Sequence, residues 1–404
     1  MAKRTSWFTK DRSGEIQSER SRGKTRADFV TAFEFGAGAS AIAALLSHFQ
    51  PTPYDNYVLF AQALVRGHLW INWPGPTIDA VLVNGHRYIV NDPLPGLMLV
   101  PFVAVFGTAN QTMLDAVLCG VATGAAWELC RRFGCSVKTA AWLTAFMFAG
   151  TQLLWCSVYG DVWFVAQTSC TAMVLLSLCE LMGKNRPWLV ALLYCAAIGS
   201  RFTLVMALPV IAWLMWRDKR HGAGQFVATL LPFFALWVWY NIARWGVPWD
   251  AGHTIFYHQD AAAGSLTGSP FSLTHIPYEL ESFFAQAPKL LSGYPWLRPT
   301  LSGVALTWVS PALVLAAFAR RPRPLVLAFW AATLLVAGPS LLYYVNGYVQ
   351  FGMRHALDFE PFLLALMIFA VRDRFTLWSK ALISYSIAAS SWGCWYWLTF
   401  VRNS

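Results

Sequence analysis

Charge is scarce in this sequence. Only 12% of its 404 residues are Asp, Glu, Lys or Arg, about half of the roughly 25% carried by a soluble domain. That shortage excludes a soluble globular enzyme and a disordered chain. Cysteine pairing is missing too. Eight cysteines lie in or at the ends of apolar runs, none at CxxC spacing, so a disulfide scaffold is excluded and small buried side chains are expected. The chain has no P-loop, no GxGxxG, no HExxH and no Gly-x-Ser-x-Gly, which argues against nucleotide-dependent and serine-hydrolase chemistry.

What is present is apolar. Hydrophobic residues make up 57%, with 21 Trp, 28 Phe and 14 Tyr. This is the composition of a polytopic membrane protein. The net charge of +10 suggests nucleic acid until its placement is read. Eight of the 30 basic residues precede residue 28. Fourteen more form clusters between apolar runs: Arg131/Arg132/Lys138, Lys184/Arg186, Arg217/Lys219/Arg220, Arg320/Arg321/Arg323 and Arg372/Arg374/Lys380. Cytoplasmic loops are enriched in this way, so no nucleic-acid partner is needed. Residues 1–28 are too long and polar for a cleavable signal peptide and read as a basic cytoplasmic tail.

A span needs about 20 apolar residues. Eleven candidates fall at roughly 29–49, 109–130, 137–157, 162–182, 187–200, 202–217, 223–244, 300–320, 324–344, 356–371 and 377–400. Threaded from a cytoplasmic N-terminus, they put every basic cluster on the cytoplasmic side. Residues 93–107 are apolar but short, with three prolines, and are read as a re-entrant or interfacial segment; a twelfth span there would invert the later loops. The expected fold is therefore all-α, with about 11–12 transmembrane helices in one polytopic domain over 29–404. Two long extracytoplasmic loops, about 50–108 and 245–299, carry interfacial helices near 56–66 and 277–291. Asn84-Gly85 between apolar runs predicts a tight hairpin. No internal repeat of 20–50 residues is visible.

Half of the acidic residues fall on the outer side, so chemistry is expected there. Asp55 follows the first span and begins the first interfacial helix. It reads either as a general base for an acceptor hydroxyl or as a helix N-cap, with Tyr57 beside it on the helix. Asp92, in Asn91-Asp92-Pro93, is a second acid before the dipping segment, or an ordinary turn. Arg354 and His355 sit at an outer membrane boundary. Arg354 suits a phosphate or pyrophosphate, or pairs with Asp358 one helical turn away. Arg201 reads as a phosphate ligand or as a snorkelling cation. Asp161 reads as part of the site or as the cap of its span. A metal held by His253, His258 and Asp260 is the weaker reading, and no metal ligand or cofactor is assigned.

The order of these motifs resembles bacterial GT-C glycosyltransferases of the mannosyltransferase and aminoarabinose-transferase type. The likeness rests on the first-loop acid, Arg66-Gly67-His68-Leu69-Trp70, Asn84-Gly85-His86-Arg87-Tyr88 and Asp92-Pro93-Leu94-Pro95-Gly96. It continues in Tyr240-Asn241-Ile242-Ala243-Arg244-Trp245-Gly246-Val247-Pro248 and in Phe351-Gly352-Met353-Arg354-His355-Ala356-Leu357. The resemblance implies an integral protein of the bacterial cytoplasmic membrane. It would transfer a sugar, with inversion, from a polyprenyl-phosphate donor to an extracytoplasmic glycan, lipid or protein acceptor. It also implies Asp55 as base, with Asp92 in reserve. Many members carry two adjacent acids at this point, whereas here Asn56 follows Asp55. The rival readings are a transporter or flippase for lipid-linked sugars, and a lipid-linked glycan polymerase or ligase.

Overall fold

The computed structural model describes residues 26–72, 79–218, 222–259, 268–300, 302–347, 350–372 and 374–401. Most of the basic tail, Lys219, Arg220 and Asp260 therefore lie outside the described residues. Helix accounts for 72%, and strand among the described residues is confined to two short hairpins. In chain order the helices are α1 (Arg26–Leu46), α2 (Asn56–Val65), α3 (Leu94–Phe106), α4 (Gln111–Arg132), α5 (Val137–Ala149), α6 (Leu153–Tyr159), α7 (Val162–Met182), α8 (Pro187–Ser200), α9 (Leu208–Asp218) and α10 (Ala223–Trp245). They continue with α11 (Gly252–Gln259), α12 (Ile276–Phe284), α13 (Leu306–Val309), α14 (Arg323–Leu342), α15 (Glu360–Val371) and α16 (Leu377–Phe400). Strands β1 (Ala80–Val83) and β2 (His86–Ile89) pair between α2 and α3.

Among the described residues, five helices are long and apolar enough to cross a membrane: α1, α4, α7, α10 and α14. The bent pair α5–α6 makes a sixth if it counts as one span. This is consistent with an all-α membrane protein. Helices α4 and α7 form the centre, with 72% and 83% of their apolar windows buried, against 17% for α1 and 22% for α10. Apolar helices left that bare need a non-aqueous surround.

Of the remaining expected spans, 187–200 and 377–400 are continuous helices, α8 and α16, and three others are interrupted, each for a local reason. The run 137–157 breaks after Gly150. There Thr151 Oγ1 donates to the Met147 carbonyl at 2.7 Å and accepts from Leu153 N–H at 3.2 Å, replacing helical backbone bonds by side-chain ones. The run 202–217 starts as a 3₁₀ turn (Phe202–Ala207) before α9. The run 300–320 holds only the four-residue α13 and a 3₁₀ segment entered through Pro311. Helix α3 has 13 residues, about 20 Å at 1.5 Å per residue, too short for the roughly 30 Å hydrocarbon layer.

Described members of four of the basic clusters make contacts near helix ends. Arg131 Nε pairs with Asp28 at 2.9 Å, Arg132 with Glu128, and Arg186 with Glu180 at 2.9 Å. Arg372 donates to the Arg321 carbonyl at 3.1 Å.

Small residues bring α1 and α4 together. A Cβ on Gly120 would lie 2.0 Å from Ser40 Oγ and 2.5 Å from the Gly36 carbonyl, and one on Gly36 would lie 2.8 Å from the Gly120 carbonyl. Close backbone approach is how helices associate where no hydrophobic drive exists between them. Gly120→Leu should therefore separate α1 from the core. The expected result is a melting temperature lowered by several degrees in detergent, with Gly38→Leu, which meets nothing within 4 Å, as the neutral control.

The outer segments follow the sequence in part. Asn84 and Gly85 both take positive φ, 49° and 81°, the two-residue turn that matches strand twist. Helix α2 buries Tyr57, Phe60 and Ala61 as expected. The second expected interfacial helix, 277–291, ends at Phe284 because the chain turns into the hairpin Lys289–Leu290/Leu297–Arg298. Its Leu280 and Phe284 stay exposed, facing away from the core.

Candidate functional site

A narrow polar cavity of about 30 Å³ opens at the end opposite the basic clusters. Six stretches build it: α2, the β2–α3 junction, the start of α7, the C-terminal end of α8, α11 and the turn before α15. Its walls include Tyr57 from α2, Asn91 and Asp92, Trp163 and Ala166 from α7, Ser200 and Arg201, His253 from α11, and Arg354.

Asp92 is held rather than free. Its Oδ2 accepts the Phe202 backbone N–H at 2.7 Å, so the acid caps the 3₁₀ turn that follows Arg201. Burial pushes its carboxyl up to about 6. Asp250's charge adds to this, and His253, Arg201 and the Phe202 N–H act against it. A carboxylate poised there is a competent base near neutral pH. Asn91 donates to Asp79 Oδ2 at 3.3 Å, and burial also raises Asp79, opposed by that bond and by the charge on Arg354.

The hairpin is fixed to α10 by Arg244. Its Nη1 donates to the Ile89 carbonyl at 3.0 Å, and its guanidinium lies 3.6 Å from the Tyr240 ring centroid and 4.4 Å from that of Trp245. The Tyr240-Asn241-Ile242-Ala243-Arg244-Trp245 run thus positions the strand three residues ahead of Asp92.

Two arginines face the cavity on different terms. Arg201 Nε pairs with Asp358 Oδ2 at 3.1 Å, and its Nη2 donates to His355 Nδ1 at 3.1 Å, which leaves the His355 proton on Nε2. Thr203 Oγ1 donates to the same Asp358 oxygen at 3.0 Å. Arg354 makes no ion pair among the described residues. Its Nη1 donates to Gln350 Oε1 at 3.1 Å, its Nε has no partner, and its guanidinium stands 5.5 Å from the Phe164 ring centroid. The side chain is buried, at 7% exposure. A buried cation without a carboxylate calls for an anion from outside.

The expected Arg354–Asp358 pair does not form. Residues 354–358 are 3₁₀, not α, so positions four apart do not stack on one face. Asp358 turns to Arg201 instead, 157 residues away.

Asp55 is not among the residues lining the cavity. It occupies the N-cap position of α2 half-buried, without a side-chain cap bond. Burial raises its carboxyl. The Tyr57 N–H is instead met by Gln111 Oε1 at 3.1 Å, and Gln111 Nε2 donates to the Gly160 carbonyl at 2.7 Å. Asp161 is buried and accepts from the Thr52 hydroxyl, which ties the first loop to α7.

His253 was visible in sequence only as a weak metal ligand. Its Nδ1 lies 3.4 Å from Asp250 Oδ2. Burial alone would lower the imidazole and raise the carboxyl. The hydrogen bond and charge between them override both effects, holding His253 above and Asp250 below their ordinary values. His258 donates to the Gly268 carbonyl at 2.9 Å. Among the described residues no three His, Cys, Asp or Glu gather as a metal set. Asn91, Trp163 and Ser200 carried no sequence signal, being ordinary loop and helix residues until the fold places them. No family model matches the chain, and no curated protein is significantly similar to it.

Proposed function

We propose that the protein is an integral-membrane glycosyltransferase of the GT-C type, moving a sugar from a polyprenyl-phosphate donor to a hydroxyl acceptor. The observation that carries this reading is one cavity holding both a buried arginine that makes no ion pair among the described residues, Arg354, and a buried carboxylate set near neutral, Asp92. The donor class and the GT-C comparison rest on the motif order in the sequence. In this reading the about eleven crossings place the cavity on the extracytoplasmic side of a bacterial cytoplasmic membrane.

The chemistry balances. The acceptor oxygen forms a bond to the anomeric carbon as the bond from that carbon to the phosphate oxygen breaks. The electron pair leaves with the phosphate, and the acceptor proton goes to Asp92. Attack opposite the leaving group inverts the centre. Arg354 stabilises the departing phosphate in a site shielded from water, with Arg201 and its Asp358 and His355 partners framing it. Asp92 is preferred to Asp55 as base because it lines the cavity and is more deeply buried. A cavity of about 30 Å³ has room for a water or two, so the donor head group enters only as the walls part.

The test is release of polyprenyl phosphate from a panel of polyprenyl-phosphate sugars by the purified protein in proteoliposomes with a soluble glycan or lipid acceptor. Protein-dependent release with an inverted product is expected. Movement of the intact donor across the bilayer without release would instead identify a transporter. Transfer of whole oligosaccharides would identify a polymerase or ligase.

A further inference from the structure

A second, larger groove lies at the basic end, far from Asp92, and has about 590 Å³ of space, within the range of ligand sites, roughly 300–1,000 Å³. Pro209, Val210 and Trp213 of α9 form one wall, and Leu327, Ala328 and Ala331 of α14 form the other. The groove exists because α9 is short and begins only after a 3₁₀ turn, leaving the first turns of α14 partly bare.

The mouth is cationic. Arg217, in the last turn of α9, and Arg323, the first residue of α14, both line it. The Arg217 guanidinium lies 5.3 Å from the Trp213 ring centroid. Arg323 stands where its charge is unfavourable for its own helix, since the start of a helix is the positive end of its dipole. That first turn contains no acidic residue, and its N-cap makes no side-chain bond. Helix dipole and two guanidinium groups therefore lie on the rim of one apolar slot.

We propose that this groove is a binding site for an anionic phospholipid of the adjacent leaflet, with an acyl chain against Trp213 and Leu327 and the phosphate between Arg217 and Arg323. Charge complementarity selects the occupant: an apolar slot alone would take any chain, and basic pockets between membrane helices select acidic head groups. The site is independent of the transfer reaction, and its test needs no activity.

The full-length protein, stripped of lipid in detergent, is titrated with phosphatidylglycerol or with phosphatidylcholine of identical chains, and bound lipid is counted by native mass spectrometry. Phosphatidylglycerol should be retained and phosphatidylcholine should not. The double variant Arg217→Gln/Arg323→Gln should bind phosphatidylglycerol about thirtyfold more weakly, from two surface cations of ordinary strength. Leu327→Trp, at an exposed position, should fill the slot and abolish retention while both arginines remain, which keeps the proposal testable if the double variant folds poorly. Equal retention of the two lipids, or undiminished binding by Leu327→Trp, would overturn it. So would protection by inorganic phosphate as strong as that by lipid, or a wild-type dimer that Leu327→Trp dissociates.

Discussion

Asp92→Asn should abolish sugar transfer while leaving the protein at least as stable as before. Base catalysis is worth about 10²–10⁴-fold, and the amide cannot take the acceptor proton. Asn preserves shape and an oxygen for the Phe202 N–H, so the junction before α3 should stay in place. The stability sign follows from linkage. Asp92 titrates at about 6 in the folded protein, against an ordinary 3.8. A raised carboxyl opposes folding once it must ionise. The penalty grows as pH rises from about 4 and levels off above about 6, on the order of 3 kcal/mol if burial persists. The variant is thus expected to melt at the same or a higher temperature than the wild type at pH 8, and to differ less at pH 4.5. In the wild type, kcat/KM should rise with pH through about 6. An active Asp92→Asn enzyme beside an inactive Asp55→Asn one would move the base to the first loop.

Arg354→Gln should lower kcat/KM by about 10²–10³-fold, the loss seen when one group stabilising developing charge is removed. Its stability should not fall. The guanidinium is buried with one hydrogen bond from Nη1 and an unpartnered Nε, so truncation removes a desolvated charge without orphaning a carboxylate. Arg354→Lys should recover part of the activity by restoring the point charge but not the planar fork. Competition by free polyprenyl phosphate reports the site directly: its inhibition should weaken in Arg354→Gln. The same variant of Arg201 should behave differently, because it strands the buried Asp358 carboxylate. Wild-type kcat/KM in Arg354→Gln would remove the phosphate role from this residue.

Much of this arrangement was legible in the sequence because it rests on local rules. Asn84-Gly85 announces its turn, and the shortness of residues 93–107 shows in α3. Arg354, Arg201, Asp92 and Tyr57 could each be suspected, and they line one cavity. What was hidden depends on contacts between remote segments. Nothing near Asp358 says that its partner is Arg201 rather than Arg354; that choice turns on a 3₁₀ turn that hydropathy cannot distinguish from an α-helix. His253 needed the fold to bring α11 beside the β2–α3 junction. The break after Gly150 depends on one Thr151 hydroxyl replacing backbone bonds, a trade that leaves apolar periodicity unchanged.

Arg244 sits near the C-terminus of α10, the long apolar helix with most of its surface bare, and grips the strand that leads into Asp92. A helix matched to its bilayer by length tilts when hydrocarbon thickness changes. Such tilt would travel through one guanidinium to the carboxylate, making the thickness of the surrounding lipid a mechanical input to proton transfer.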